Sequence, residues 1–179
     1  MTLEAFLAWE RQRDMRYEFD GAGPLAMTGG SLAHSMIATR LVRLLEDRLG
    51  NGPCRALRGD VKIVVAGRVR YPDAVVTCSP LDLSADIIPE PVVVFEVISP
   101  STAGTDRIAK NEEYRATPSI RRYVLLELTT IAAAVFERRG DDWIGHLLTG
   151  DRPLALPEIA VELRLSDLYD GLTFTPPLP

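Results

Sequence analysis

Residues 68–76, RVRYPDAVV, and residues 91–102, PVVVFEVISPST, decide the fold predicted for this chain. Both stretches are rich in Val or Ile, which favours β-strands, and each contains one carboxylate. Asp73 directly follows Pro72, and Glu96 lies inside an apolar run with no basic residue beside it. Because an ionised carboxylate is costly to bury without a partner, we infer that these two acidic residues have a chemical role.

The elements around these two stretches predict an α/β core over about residues 31–128. Residues 31–49 carry apolar residues at helical spacing and end at the helix breakers GNGP. Strands are predicted in CRAL, GDVKIVVAG and RVRYPDAVVTC, with a hairpin turn at residues 66–68. VVVFEVIS is apolar on both faces, which is typical of a central strand. A helix capped by Asp106 and a strand in RRYVLLEL complete the order, which contains the pattern αβββαβ.

Additional elements are predicted at both ends of this core. The front contains a short helix capped by Thr2 and a hairpin formed by MRYEF and PLAMT. The back contains a hairpin around residues 139–141, a strand near IAVEL and a helical turn from Ser166. We therefore expect one domain over residues 1–179, with a mixed sheet flanked by helices and a flexible tail at residues 173–179.

The composition indicates an ordinary globular protein. The chain is 46% hydrophobic and 25% charged, and no apolar run is long enough to predict a membrane span. The N-terminus lacks the apolar centre of a signal peptide, which predicts a cytoplasmic protein. Cys54 and Cys78 have no metal-ligand spacing and are expected to be a reduced pair. The net charge of −5 argues against a broad surface that coats nucleic acid.

The residue types near the two carboxylates fit metal-assisted hydrolysis of a phosphodiester. Asp73 and Glu96 occupy neighbouring predicted strands, and Lys110 lies on the helix that follows. Mg²⁺ is commonly held by one or two carboxylates together with substrate phosphate and water. A bound cation relieves the repulsion between two carboxylates and activates water, and a nearby lysine stabilises charge in the transition state.

The ordered set YEFDG, SLAHSMIA, YPDAVV, FEVISPST, DRIAKNEEY and RRYVLLEL resembles the Uma (Uma-two) family of putative restriction endonucleases, over roughly residues 3–172. This family belongs to the PD-(D/E)XK nuclease superfamily, whose core is αβββαβ. The resemblance implies that Asp73 and Glu96 are ligands of Mg²⁺ or Mn²⁺, with the Val97 carbonyl as a third ligand. The superfamily's lysine is expected at position 98, which is Ile98 here, and Lys110 takes its place.

The same resemblance places Glu18 and His34 at family positions and implies a homodimer. Each proposed site residue also has a structural alternative. Lys110 can be a surface partner of Asp106, and His34 can simply cap its helix. Glu18 can pair with a surface arginine, either Arg16 or Arg40.

Three further groups of residues near these positions remain open from the sequence. Asp60 and Lys62 lie on the strand expected to pair with the Asp73 strand. The hydroxyl residues after the glutamate fit either a phosphate contact or ordinary loop chemistry; they are Ser99, Ser101 and Thr102. Several arginines are expected to gather positive charge around the site, namely Arg55, Arg58, Arg68, Arg70, Arg107 and Arg115.

The predicted function is a metal-dependent endonuclease that acts on nucleic acid, with DNA as the favoured substrate. The main alternative is a catalytically silent member used for binding or assembly, which the acidic charge and the absence of lysine at position 98 both favour. A second alternative is hydrolysis of a smaller phosphate ester. The sequence contains no GxSxG, glycine-rich phosphate loop or HExxH motif, which excludes the common hydrolase, nucleotide-kinase and zinc-protease patterns.

Overall fold

The computed structural model describes residues 1–27, 29–98 and 105–174, except the side chains of residues 105–107. The side chain of the predicted cap Asp106, the hydroxyl residues at 99, 101 and 102, and most of the predicted tail lie outside the described part of the chain. Within the described residues the α-helices are Leu3–Glu10 (α1), Leu32–Leu49 (α2) and Thr105–Ala116 (α3). The strands are Tyr17–Phe19 (β1), Pro24–Ala26 (β2), Arg55–Arg58 (β3), Ile63–Val65 (β4), Arg68–Arg70 (β5), Ala74–Thr77 (β6), Pro91–Ile98 (β7), Arg122–Glu127 (β8), Ala132–Arg139 (β9), Asp142–Thr149 (β10), Pro153–Leu156 (β11) and Val161–Arg164 (β12).

A mixed six-stranded sheet with the order β10-β9-β8-β7-β6-β3 forms the centre of the protein. Strands β7 and β8 are parallel, and the other neighbouring pairs are antiparallel. A parallel pair requires a crossover connection, and α3 provides it. The segments α2, β3, β6, β7, α3 and β8 follow the order αβββαβ, and the prediction of a mixed sheet flanked by helices is confirmed; GDVKIVVAG, predicted as a strand of this core, instead supplies β4 of a second sheet.

Two hydrophobic clusters cover the two faces of this sheet. The apolar side of α2 packs on one face through Ile37, Leu41 and Leu45, all fully buried. That helix begins at Ser31, whose hydroxyl accepts the His34 amide, and ends at Gly50, whose φ of 52° favours glycine. The other face holds the side chain of Tyr114 from α3. Strand β7 is therefore buried on both sides, as its apolar sequence predicts.

The stretch predicted as one strand over RVRYPDAVVTC is two strands in two different sheets. Strand β5 pairs with β1 and β4 in a second sheet of order β2-β1-β5-β4, whereas β6 pairs with β3 and β7. The break falls at Pro72, which has no N–H to donate to a sheet ladder. Gly59 packs so close to this break that a Cβ there would lie 2.7 Å from the Pro72 carbonyl oxygen. The prediction that Asp60 and Lys62 share a strand pair with Asp73 is consequently wrong.

Lys62 contributes to a separate buried cluster. Its Nζ lies 3.0 Å from Glu10 Oε2 and 2.8 Å from Asp86 Oδ2. Tyr71 donates to Glu10 Oε1 at 2.6 Å, and burial raises the pKa of this tyrosine well above its usual value. These contacts fasten α1 to the second sheet. Lys62 is thus engaged in holding the N-terminal helix.

The two cysteines form a disulfide, so the expected reduced pair is wrong. Antiparallel pairing of β3 with β6 sets Arg55 opposite Thr77. One residue further along, Cys54 and Cys78 face each other with a Cα–Cα distance of 3.9 Å. The sequence separation of 24 residues concealed this register, because the intervening hairpin belongs to the other sheet.

The additions at both ends follow the predictions. Thr2 caps α1, β1 pairs with β2 in a hairpin, and β9 pairs with β10 across a turn at residues 140–141. The strand predicted near IAVEL is β12, whereas β11 and its pairing with β12 were not predicted; the buried residues of this hairpin pack on the same face as α2. No helix in the described part of the chain is long and apolar enough to cross a membrane.

Candidate functional site

Asp73 and Glu96 come together because β6 and β7 are adjacent. Their antiparallel register sets Ala74 opposite Phe95, so the next residues along the two strands, Asp73 and Glu96, are opposite each other. Directly opposite residues project from the same face of a sheet. The sequence expectation that these two carboxylates meet therefore agrees with the observed register.

Two nitrogen atoms hold the carboxylate of Asp73. Nε2 of His34 lies 3.0 Å from Oδ1 and 3.1 Å from Oδ2. The main-chain N–H of Val97 donates to Oδ2 at 2.7 Å. The hydrogen bond to Asp73 raises the pKa of His34, although partial burial opposes this change. His34 reaches Asp73 from the first turn of α2 and does more than cap its helix.

Glu96 is recessed, with 11% of its side chain exposed. Tyr114 donates its hydroxyl to Oε1 at 2.9 Å, and Nζ of Lys110 lies 3.4 Å from the same oxygen. Burial raises the pKa of Glu96 to about 7, and the negative charges of Asp73 and Glu18 add to this effect. The positive charge of Lys110 and the Tyr114 hydrogen bond act in the opposite direction.

Lys110 links Glu96 to Glu18. Its ammonium lies 3.1 Å from Glu18 Oε1 and 3.4 Å from Glu96 Oε1, and 13% of its side chain is exposed. Lys110 is therefore largely buried and is not a solvated surface lysine. The five predicted site side chains, from β1, α2, the start of β6, β7 and α3, meet in one place.

Glu18 is held by the strand next to the break in RVRYPDAVVTC. Its Oε1 accepts the Tyr71 amide at 3.2 Å, and its Oε2 lies 3.4 Å from Arg70. The suggested surface pairing of Glu18 with Arg16 or Arg40 is thus wrong. Arg70 is buried and forms two bonds of 2.7 Å with Glu113 of α3, which ties β5 to the helix that carries Lys110.

Tyr114 was missed in the sequence, although a signal for it exists. Residues four apart lie on the same helical face, so a helix that presents Lys110 to Glu96 also presents Tyr114. The hydroxyl of a fully buried tyrosine needs a hydrogen-bond partner, and Glu96 provides an acceptor for it.

A cleft of about 740 Å³ contains all five side chains. Its floor carries the carboxylates of Glu18, Asp73 and Glu96, and its walls include apolar side chains from the β1–β2 hairpin and from the ends of β7 and β8. A second cleft of about the same volume lies beside Arg48 and the β11–β12 hairpin and contains none of the five.

The predicted arginines whose side chains the structure describes do not line the cleft; the side chain of Arg107 lies outside the described part. Among the described residues that line it, the basic ones are His34 and Lys110. Arg55 donates to the carbonyls of Gly52 and Cys54, and the side chains of Arg68 and Arg70 both contact Glu113. The side chains of Arg55, Arg68 and Arg70 are therefore engaged in contacts within the protein.

The donors at the floor suit a hard divalent cation. Asp73 and Glu96 supply carboxylate oxygens, which Mg²⁺ and Mn²⁺ prefer. Within residues 1–27, 29–98 and 105–174, no group of three or more His, Cys, Asp and Glu side chains is arranged to hold a metal. A third protein ligand would thus come from the backbone. The N–H and C=O of one strand residue point in the same direction, and the Val97 N–H points at Asp73.

Comparisons with known proteins bear on the family and the fold. A family model described as "Uma2: Putative restriction endonuclease" matches residues 3–167. An uncharacterized protein of Synechocystis sp. is 36% identical over 97% of this chain and 94% of its own length. A second uncharacterized Synechocystis protein is 26% identical over 84% of this chain and 89% of its own length. The crystal structure of a putative nuclease belonging to DUF820 from Anabaena variabilis superposes with a TM-score of 0.75 and 18% identity, covering 94% of this chain and 97% of that one.

Proposed function

Because the chain belongs to the Uma2 family of putative restriction endonucleases, we propose that it is a nuclease that hydrolyses nucleic-acid phosphodiester bonds with the help of Mg²⁺ or Mn²⁺. One observation carries this proposal. Asp73 directly precedes β6, whose first residue Ala74 pairs with Phe95 of β7, so Asp73 lies beside Glu96; the ammonium of Lys110 lies 3.4 Å from Glu96. Paired carboxylates with a neighbouring cation suit phosphoryl chemistry, in which positioning and electrostatic stabilisation supply most of the catalysis.

The metal ligands in this proposal are Asp73, Glu96 and the Val97 carbonyl. When bound, the metal would polarise a phosphoryl oxygen and make water a better nucleophile. His34 and the Val97 N–H hold the Asp73 carboxylate in one orientation. Tyr114 and Lys110 both contact Oε1 of Glu96. Among the described residues no hydrogen bond falls on Oε2, which makes Oε2 the oxygen of Glu96 available to a cation.

In this proposal the ammonium of Lys110 interacts with the negative charge of the substrate. Its ammonium stabilises the negative charge that grows on the phosphoryl oxygens during attack, so its contribution is greater in the transition state than in the ground state. Glu18 also contacts this ammonium, at 3.1 Å, and helps to hold it in place. His34 orients Asp73. Because the pKa of His34 is raised, its ring stays protonated to a higher pH than the ring of a free histidine.

A silent member used for binding or assembly is the second candidate. The observation that favours it is the pairing of Lys110 with two carboxylates, Glu18 and Glu96, which resembles a structural ion-pair network. The acidic net charge of −5 also favours it. The two candidates differ in a single measurable property, which is cleavage in the presence of a divalent metal.

Four further parts of the proposal follow from the sequence. We propose DNA as the substrate, the cytoplasm as the location, one domain over residues 1–179, and a homodimer. The dimer is supported by β10, an eight-residue edge strand on which Ile144 and Leu147 are 42% and 63% exposed, because an exposed apolar edge readily pairs with another chain. A mass that stays monomeric at all micromolar concentrations in light scattering would contradict the dimer.

The deciding experiment incubates the purified protein with plasmid and with single-stranded circular DNA, in Mn²⁺ or in chelator. Cleavage should occur only with the metal, and Asp73→Asn should abolish it. The matched control is Asp14→Asn, which makes the same change at an exposed loop residue and should cleave like the wild type. Equal cleavage by Asp73→Asn would show that the activity does not belong to this site.

A further inference from the structure

In the part of the cleft that the structure describes, the walls are apolar where a nuclease that grips a duplex would be basic. Leu25 and Met27, at the end of the β1–β2 hairpin, line the cleft and are 47% and 38% exposed. Ile98 and Leu128 line it at the ends of β7 and β8, and both are only partly buried. These side chains line the same cleft as the acidic residues, so a bound polymer would meet hydrocarbon beside the scissile phosphate.

Duplex nucleic acid is a poor match for this surface. A duplex carries about one negative charge per 1.7 Å of its axis, and proteins bind it by neutralising several phosphates with Lys and Arg. Among the described residues lining the cleft, His34 and Lys110 are the basic ones. Lys110 is already paired with Glu18 and Glu96, which leaves little positive charge for a second strand.

The burial of the residues on the floor also favours a single strand over a duplex. The side chains of Glu18, Glu96 and Lys110 are each less than 15% exposed. A phosphate must therefore enter past the hairpin wall to reach them. A single strand can turn one phosphate inward and place its bases against the walls, whereas a duplex is stiff over about 150 base pairs and keeps its bases stacked inside.

We propose that the preferred substrate is single-stranded nucleic acid, with Leu25 and Met27 contacting the base or sugar beside the scissile phosphate. This inference rests on the proposed nuclease function and specifies its substrate class. Apolar contact with sugars and bases replaces the phosphate contacts that this cleft lacks. The hairpin that supplies Glu18 to the floor thus also selects the substrate through its next strand.

The test compares one labelled oligonucleotide as a single strand and as a blunt duplex, measuring cleavage in Mn²⁺ and binding by anisotropy in Ca²⁺. The wild type should cleave the single strand at least tenfold faster and bind it more tightly. The double variant Leu25→Ser/Met27→Ser should raise KM for the single strand about fivefold or more, since it removes apolar contact area, with kcat changed much less. The matched control is Leu83→Ser, because Leu83 is exposed and does not line the cleft.

Each outcome of this test decides the single-strand preference, the nuclease function or both. Equal or faster cleavage of the duplex would overturn the single-strand preference and leave the nuclease function standing. A wall variant that behaves like Leu83→Ser would remove Leu25 and Met27 from recognition and overturn the inference. Tight single-strand binding without any cleavage would overturn the nuclease function and support the substrate class. Failure to bind or cleave either form would overturn both.

Discussion

Replacing Glu96 by glutamine should stabilise the metal-free protein above neutral pH and change its stability little near pH 5. Burial raises the pKa of Glu96 from 4.5 to about 7. Between these two values the folded protein keeps a proton that the unfolded chain has released, so the stability of the wild type falls as the pH rises. At about 1.4 kcal/mol per pH unit, this interval corresponds to roughly 3 kcal/mol of unfolding free energy. Glutamine carries no such proton and removes this dependence.

Urea unfolding in chelator measures the effect at steps from about pH 5 to about pH 8.5. Subtracting the wild type from Glu96→Gln cancels the other titrating groups, so the difference should grow with pH and level off above about pH 8. Glu162→Gln is the matched control, because Glu162 is exposed on β12, and its difference from the wild type should stay flat. Millimolar Mn²⁺ should then stabilise the wild type and leave Glu96→Gln unchanged.

A difference between Glu96→Gln and the wild type that does not vary with pH would refute the reasoning. It would mean that the carboxylate ionises as it does in water and that the Glu96 pocket is more hydrated than its contacts indicate. A decrease of this difference with rising pH would be still more damaging. It would show that Lys110 and Tyr114 stabilise the ionised form by more than burial and the neighbouring carboxylates destabilise it.

Three further predictions concern the surroundings of this carboxylate. Lys110→Ala should still bind metal but cleave about 10² to 10³ more slowly at saturating Mn²⁺, because a charged donor to the transition state is lost. Tyr114→Phe should raise the pKa of Glu96 further, since the ionised form loses a hydrogen bond of 2.9 Å. As a result, the lowest pH at which calorimetry detects Mn²⁺ binding should rise by about one pH unit. Dithiothreitol should destabilise the wild type by about 3 kcal/mol, as expected for opening a loop of 24 residues, and should not affect Cys54→Ser/Cys78→Ser.

Matched controls separate these effects from a general loss of stability. Arg43→Ala removes an exposed cation on α2 and should cleave like the wild type. Tyr169→Phe removes a tyrosine hydroxyl that bonds two backbone carbonyls away from the cleft; it should lower stability without moving the pH limit of metal binding. Wild-type cleavage by Lys110→Ala would exclude this lysine from the mechanism, and an unchanged pH limit in Tyr114→Phe would exclude the hydrogen bond from control of Glu96.

The central layer of the fold could be predicted because its patterns are local. An unbroken apolar run is sufficient to place β7 at the centre of the sheet, and apolar spacing with a glycine at the end is sufficient for α2. The separation of β5 from β6 could not be predicted in the same way. Both halves of RVRYPDAVVTC have strand composition, and the choice of sheet depends on β1, which lies about fifty residues earlier in the chain. Partner choice over such distances leaves no periodic signal.

The residues of the candidate site also differ in whether local sequence patterns could predict them. Asp73 and Glu96 could be paired from sequence because their strands are neighbours and each carboxylate interrupts an apolar stretch. Glu18 was suggested only by resemblance, since nothing local connects a hairpin residue with Lys110, 92 residues away. The disulfide and the Glu10–Lys62 pair were missed for a similar reason. Each joins residues whose spatial relation follows from sheet pairing and not from their spacing in the chain.

The charge of the floor leads us to expect that substrate binding needs a cation. Among the described residues that line the cleft, Glu18, Asp73 and Glu96 face one lysine and one histidine, and Arg70 contacts Glu18 from outside the cleft lining, so a phosphodiester that enters without a cation should meet repulsion. A divalent ion reverses that balance. We therefore expect single-stranded DNA to bind the wild type at least tenfold more tightly in Ca²⁺ than in chelator, as measured by anisotropy at constant ionic strength. Asp73→Asn should bind equally in both conditions, because it has lost a metal ligand along with one repelling charge. A wild type that binds equally well in chelator would show that the substrate is held away from these carboxylates, and the metal would then have no part in recognising it.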